Sequence, residues 1–225
     1  MNKKSIYIVL TVLMLSLLVT FVDAVIEPNY FVKIPIKVIF FLAIPMTFFV
    51  LNKTEYKSFK SLFSFRKEGI LKSLLLGVLV YMVILSGYFL TRNIIDFSNV
   101  ASNLNESMGI NAKNFIYVSL YISFINSFLE EFFFRGYGFI TLKKNTNRIF
   151  AYLFSSILFA IYHIGMLSVS FHISALILLF GFLIIAGCLF NYLNEKNNNI
   201  YSSWFVHMFA NFGINTVAFI LFGIL

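Results

Sequence analysis

The chain has few charged residues and almost no cysteine. Only 12% of its 225 residues are charged, whereas soluble globular domains average about 25%. The single cysteine, Cys188, excludes an intramolecular disulfide. The apolar segments show no alternation of apolar and polar residues, which excludes a transmembrane β-barrel. The composition therefore excludes an ordinary soluble domain and a disulfide-stabilised secreted one.

Long apolar runs dominate the chain, which is 60% hydrophobic with a mean hydropathy of +0.90. An apolar run of about 20 residues is long enough for a helix to cross a bilayer. The sequence predicts an all-α, polytopic membrane bundle of about seven transmembrane helices, forming a single domain over residues 1–225. The predicted spans are 5–22, 31–51, 70–90, 114–140, 149–164, 173–193 and 200–222.

Lysine and arginine are distributed unevenly between the two sides of these spans. Twelve lie on the side of the N-terminus, many of them in a basic loop over residues 53–72. The opposite side has four, which are Lys33, Lys37, Arg92 and Lys113. Because positive residues are retained inside, the N-terminus is predicted to be cytoplasmic, in a multi-pass protein of the cell membrane. The net charge of +8 thus reflects membrane topology, and we expect no nucleic-acid partner.

Two carboxylates and a guanidinium interrupt the fourth predicted span. They are Glu130, Glu131 and Arg135, within the apolar run from Phe128 to Gly136. Left unpaired in a membrane, three such charges would cost about 8–10 kcal/mol. Residues four apart share a face of an α-helix, so Glu131 and Arg135 are predicted to form an ion pair. Glu130 is left free for acid–base chemistry. The alternative is a purely structural ion-pair cluster.

Histidine and asparagine occur in two later spans. His163 ends the fifth span, and His207 is followed four residues later by Asn211 in the seventh. At 1.5 Å per residue, Glu130 and His207 are expected at similar depths, and His163 fits least well. Together these groups could activate a water and stabilise an oxyanion. Glu130, His163 and His207 could also bind zinc, although none of the usual zinc spacings is present, so metal binding stays open.

The three motifs, in this order, resemble those of the CPBP intramembrane proteases, which include the type II CaaX prenyl endopeptidases and the bacteriocin-processing or self-immunity proteins of the Abi group. The family's Glu-Glu-x-x-x-Arg, Phe-x-x-x-His and His-x-x-x-Asn motifs correspond to residues Glu130, Glu131, Arg135, Phe159, His163, His207 and Asn211.

The resemblance implies hydrolysis of a peptide bond within the membrane, with the catalytic helices over residues 114–222. By this resemblance, Glu130 activates the water and His163 positions it, while His207 and Asn211 stabilise the oxyanion. Glu131 and Arg135 support the site, and Phe159 forms its wall. The resemblance is compatible with a divalent metal such as zinc and with a metal-free glutamate mechanism.

The resemblance implies a membrane-associated substrate, either a lipidated CaaX-type tail or a signalling or bacteriocin precursor peptide. One alternative is a non-catalytic membrane immunity or scaffold protein. A proton- or ion-coupled transporter is a second, because buried glutamate and histidine also relay protons. The sequence predicts no particular oligomeric state.

Overall fold

The computed structural model describes residues 1–65, 67–167 and 172–225, which form helices without any strand. Arg66, counted above with the basic loop, lies outside these residues. Helices α1 to α5 are Lys3–Ile26, Tyr30–Leu51, Lys53–Leu62, Lys67–Thr91 and Val100–Met108. Helix α6 is a continuous run that begins with Phe115–Leu120 and ends with Leu142–Asn145. Helices α7 to α9 are Arg148–Leu167, Ile173–Asn197 and Tyr201–Leu221. The predicted fold class, a helical membrane bundle, is confirmed.

Six helices of the described ranges are long and apolar enough to cross a membrane, namely α1, α2, α4, α7, α8 and α9. The fourth predicted span corresponds to α6, which is helical throughout but alternates between α and π geometry. Its π stretches are Tyr121–Asn126 and Glu131–Thr141. Because polar and charged residues, among them Glu130, Glu131 and Arg135, interrupt its apolar run, α6 is not among these six helices, and the total of seven spans stays a prediction.

Two predicted loops contain helices. The basic loop includes α3, an amphipathic helix, and the polar loop over residues 91–113 includes α5. Helix α5 ends at Gly109, whose φ of 69° is the left-handed conformation that terminates helices. Both helices are short and polar, so hydropathy alone did not identify them.

Aromatic side chains of α6 form the centre of the bundle. Phe132, Phe133 and Phe134 are fully buried, and Phe133 stacks on Phe41 of α2 with ring centres 4.3 Å apart. All residues of the π stretch Glu131–Thr141 are buried. The second half of α6 is therefore surrounded by other helices, and the charged groups it carries lie in the protein interior.

Small residues allow close helix contacts around this centre. A Cβ on Gly187 of α8 would lie 2.9 Å from the Cα of Ser156 of α7. That distance is shorter than a carbon–carbon contact, so only glycine permits α7 and α8 to approach this closely. Membrane helices commonly pack through small residues because close backbone approach maximises van der Waals contact.

Candidate active site

Glu130 lies where the short α segment Ser127–Glu130 of α6 meets the π stretch. One carboxylate oxygen, Oε1, accepts hydrogen bonds from Asn126 Nδ2 at 2.6 Å and from the Tyr162 hydroxyl at 2.9 Å. The other oxygen, Oε2, is buried and has no donor among the described residues. Two hydrogen bonds therefore orient the carboxylate and leave one oxygen for chemistry.

Two imidazoles face this free oxygen. His163 Nε2 lies 3.5 Å and His207 Nε2 lies 3.6 Å from Glu130 Oε2. His163 Nδ1 lies 2.9 Å from the Phe159 carbonyl oxygen, and His207 Nδ1 lies 2.9 Å from Glu131 Oε1. A carbonyl and a carboxylate only accept hydrogen bonds, so each ring donates from Nδ1. Although its expected depth fitted least well, His163 contacts Glu130.

Glu131 holds His207 in place through a small polar network. The hydroxyl of Ser203, one turn before His207 in α9, donates to Glu131 Oε2. Asn194 of α8 donates to the Ser203 hydroxyl at 2.7 Å and accepts from its backbone N–H at 3.2 Å. Glu131 thus connects α6, α8 and α9, and fixes which nitrogen of His207 points toward Glu130.

Arg135 is fully buried and is held mainly by aromatic rings. Its Nη1 lies 3.5 Å from Glu131 Oε1, and none of its nitrogens makes a hydrogen bond within the described residues. The guanidinium carbon lies 3.8 Å from the Phe159 ring centre and 5.0 Å from that of Phe190. Such stacking over aromatic faces stabilises a desolvated cation by about 2 kcal/mol. Phe159 therefore supports Arg135 with its ring and His163 with its carbonyl oxygen.

Asn211 lies one turn beyond His207 but faces a different neighbour. Its Nδ2 donates to the carbonyl oxygen of Ile122 in α6 at 3.1 Å. Asn215, one turn further, likewise donates to the Ser119 carbonyl oxygen at 3.2 Å. These two amides tie α9 to α6. The structure brings Glu130, His163 and His207 together, whereas Asn211 uses one amide N–H to bind α6.

Four polar residues around the carboxylates were not predicted. Asn126 and Ser203 stand four residues before Glu130 and His207, a spacing that marks a shared helix face. Tyr162 directly precedes His163, and its position gave no signal because adjacent residues point about 100° apart. Asn194 likewise had no sequence signal, because its partner Ser203 lies on a different helix.

The donor atoms of Glu130, His163 and His207 fit a divalent metal. They lie within 4.8 Å of one another, and they are one carboxylate oxygen and two imidazole nitrogens. Catalytic zinc sites often use this ligand set and keep one position open. Metal-binding histidines usually donate their other N–H to a carboxylate or carbonyl, as both rings do here.

The positions of Lys33 and Lys37 differ from the sequence prediction, which assigned both lysines to the outer side of the membrane. Both are buried in α2, and Lys37 Nζ lies 5.3 Å from the centre of the Tyr162 ring. The count of positive residues could not detect this, because it assigns a lysine near a span end to the nearest surface.

The family model described as type II CAAX prenyl endopeptidase Rce1-like matches residues 112–213. The matched segment contains all seven motif residues and leaves α1 to α5 outside it. No curated protein and no solved structure shows a significant match to the chain.

Proposed function

We propose that this chain hydrolyses a peptide bond of a membrane-associated peptide or protein, with Glu130 as the general base. The match of residues 112–213 to the family model of Rce1-like type II CAAX prenyl endopeptidases supports the proposal. The observation that carries the proposal is the free Oε2 of Glu130. This oxygen is buried, lacks a donor among the described residues and faces two imidazole nitrogens.

The first step is attack by water on the scissile carbonyl carbon. Glu130 Oε2 takes one proton from the water, and the water oxygen forms the new bond to carbon. The hydrogen bonds from Asn126 and Tyr162 hold Oε1, so the carboxylate presents the same oxygen throughout. His163 Nε2, held by the bond from its Nδ1 to the Phe159 carbonyl, accepts the second hydrogen of the water and positions it.

The second step is collapse of the tetrahedral intermediate. The carbon–nitrogen bond breaks, and Glu130 returns its proton to the leaving amine. His207 in its doubly protonated form donates from Nε2 to the oxyanion, while Glu131 accepts from Nδ1. The second N–H of Asn211 is a further donor for the oxyanion. Glu131, Arg135 and Ser203 act indirectly, by orienting His207.

Glu130, His163 and His207 would hold a divalent metal if the enzyme uses one. Such an ion supplies Lewis-acid activation by lowering the pKa of water. Glu130 and the imidazoles would then serve as ligands, and the network of Glu131, Ser203 and Asn194 would orient His207 as described.

The substrate is proposed to be a CaaX-type tail or another short membrane-associated peptide. The test compares wild type with Glu130→Gln at equal membrane levels in a host that lacks the gene. New peptide termini are mapped by mass spectrometry. Glu106→Gln is the matched control, because Glu106 is an exposed carboxylate on α5.

We expect termini that appear with wild type and with Glu106→Gln but not with Glu130→Gln. Identical termini in all three strains, with the cellular phenotype retained, would refute the proposed protease activity and favour a scaffold or immunity protein. A pH-dependent flux in proteoliposomes without peptide products would favour a transporter.

A further inference from the structure

Helix α2 carries two lysines in the interior of the bundle. Lys33 and Lys37 are one turn apart, and the side chain of each is only 3% exposed. Burying an ammonium group without a compensating partner costs several kcal/mol. Each lysine therefore requires a reason for its position.

Lys33 has a conventional partner. Its Nζ lies 3.1 Å from Asp23 Oδ1, and Asp23 is itself buried at the end of α1. Lys37 has no such partner, because no carboxylate of the described side chains lies within 4 Å of its Nζ. Its ammonium group lies instead over the face of the Tyr162 ring. Since Asp23 already pairs with Lys33, Lys37 is a buried cation without a contacting anion.

Lys37 is adjacent to the candidate active site. The Tyr162 ring that it overlies carries the hydroxyl that donates to Glu130. The hydroxyl of Tyr121 in α6, whose ring centre lies 6.0 Å from that of Tyr30 in α2, is buried and has no hydrogen bond to any described residue. Polar atoms without partners thus occur on this side of Glu130.

We propose that Lys37 binds the free C-terminal carboxylate of the peptide substrate. This inference rests on the proposed function, and it makes Lys37 a specificity-determining residue. A peptide with an unmodified C-terminus ends in a carboxylate, and in a membrane interior that anion requires a buried cation. Asp23 does not repel it strongly, because Lys33 neutralises Asp23.

The geometry then limits where the enzyme cuts. Lys37 and Glu130 both contact Tyr162, so they lie within about one side chain of each other. An extended residue spans about 3.3–3.6 Å, so a leaving peptide of two or three residues would reach from the scissile bond to Lys37. Substrates without a free carboxylate near the scissile bond are therefore expected to be rejected.

The experiment uses lipidated peptides whose last four residues are randomised. One pool is synthesised with a free C-terminal carboxylate and a second with a C-terminal amide. Purified wild type, Glu130→Gln, Lys37→Met and Lys37→Arg are each incubated with both pools, and products are quantified by mass spectrometry. Lys113→Met, which removes an exposed lysine, is the matched control.

The readout is the ratio of acid to amide cleavage within each preparation, so partial misfolding does not alter it. We expect wild type, Lys113→Met and Lys37→Arg to prefer the acid pool by at least about tenfold, because a hydrogen bond between charged groups typically contributes that much. In Lys37→Met the ratio should fall toward one.

Three results would overturn the inference. Equal cleavage of both pools by wild type would refute it without any variant and leave the proposed function intact. An unchanged ratio in Lys37→Met, at a lower rate for both pools, would mean that Lys37 only compensates the charge of Glu130. No product above the Glu130→Gln level from either pool would refute the proposed function, and the inference with it.

Discussion

Removing Arg135 alone should destabilise the protein more than removing Arg135 and the charge of Glu131 together. Arg135→Met leaves the Glu131 carboxylate buried without its cation, since both side chains are fully buried and 3.5 Å apart. Breaking a buried ion pair in this way costs about 3–5 kcal/mol. The stacking of the guanidinium on Phe159 and Phe190 adds about 2 kcal/mol to that loss.

The double variant Arg135→Met/Glu131→Gln removes both charges, so it avoids the uncompensated carboxylate. We expect it to be more stable than Arg135→Met by at least about 2 kcal/mol, a coupling typical of contacting groups. The measurement is reversible unfolding in mixed micelles, followed by circular dichroism, for wild type, both single variants and the double variant.

The control is Lys4→Met, which breaks the ion pair between Lys4 and Glu55. That pair is 3.0 Å long and partly exposed, so its loss should cost no more than about 1 kcal/mol. If the two single losses at Glu131 and Arg135 simply added in the double variant, the ion-pair argument for this site would be wrong.

Three further predictions concern groups that the structure revealed. Tyr162→Phe deletes one donor to Glu130 and should lower kcat by about tenfold or more. The control is Tyr137→Phe, which changes a buried tyrosine that packs on Phe48 and should leave kcat unchanged. Equal rates in the two variants would contradict the role of Tyr162. Ser203→Ala removes a donor to Glu131 and should lower kcat while changing KM little, because it loosens His207 without touching the substrate. A change in KM alone would contradict this positioning role of Ser203. Gly187→Ala should destabilise the protein by about 1–3 kcal/mol, because the new Cβ would lie 2.9 Å from the Ser156 backbone. Gly181→Ala, on the same helix, should be neutral, because no atom lies within 4 Å of its new Cβ. Unfolding in mixed micelles distinguishes the two variants.

Several features of the site were predictable because they depend on short separations along the chain. The proximity of Glu131 and Arg135 follows from a spacing of four residues, and they lie 3.5 Å apart even though the stretch has π geometry. The same spacing did not predict the direction of Asn211, because the neighbours of an amide depend on which helix packs beside it. Its partner, Ile122, lies in α6.

The sequence by itself determined the class of the protein and identified the ionisable residues within its apolar runs. Apolar runs require helices in a membrane, and carboxylates and histidines within them require partners. Only the tertiary structure decided which groups meet. The hydrogen bond of Tyr162 to Glu130, the link from Asn194 through Ser203 to Glu131, and the position of Lys37 over Tyr162 all join residues from different helices. Such contacts depend on how the helices pack, and no local pattern of residues encodes them.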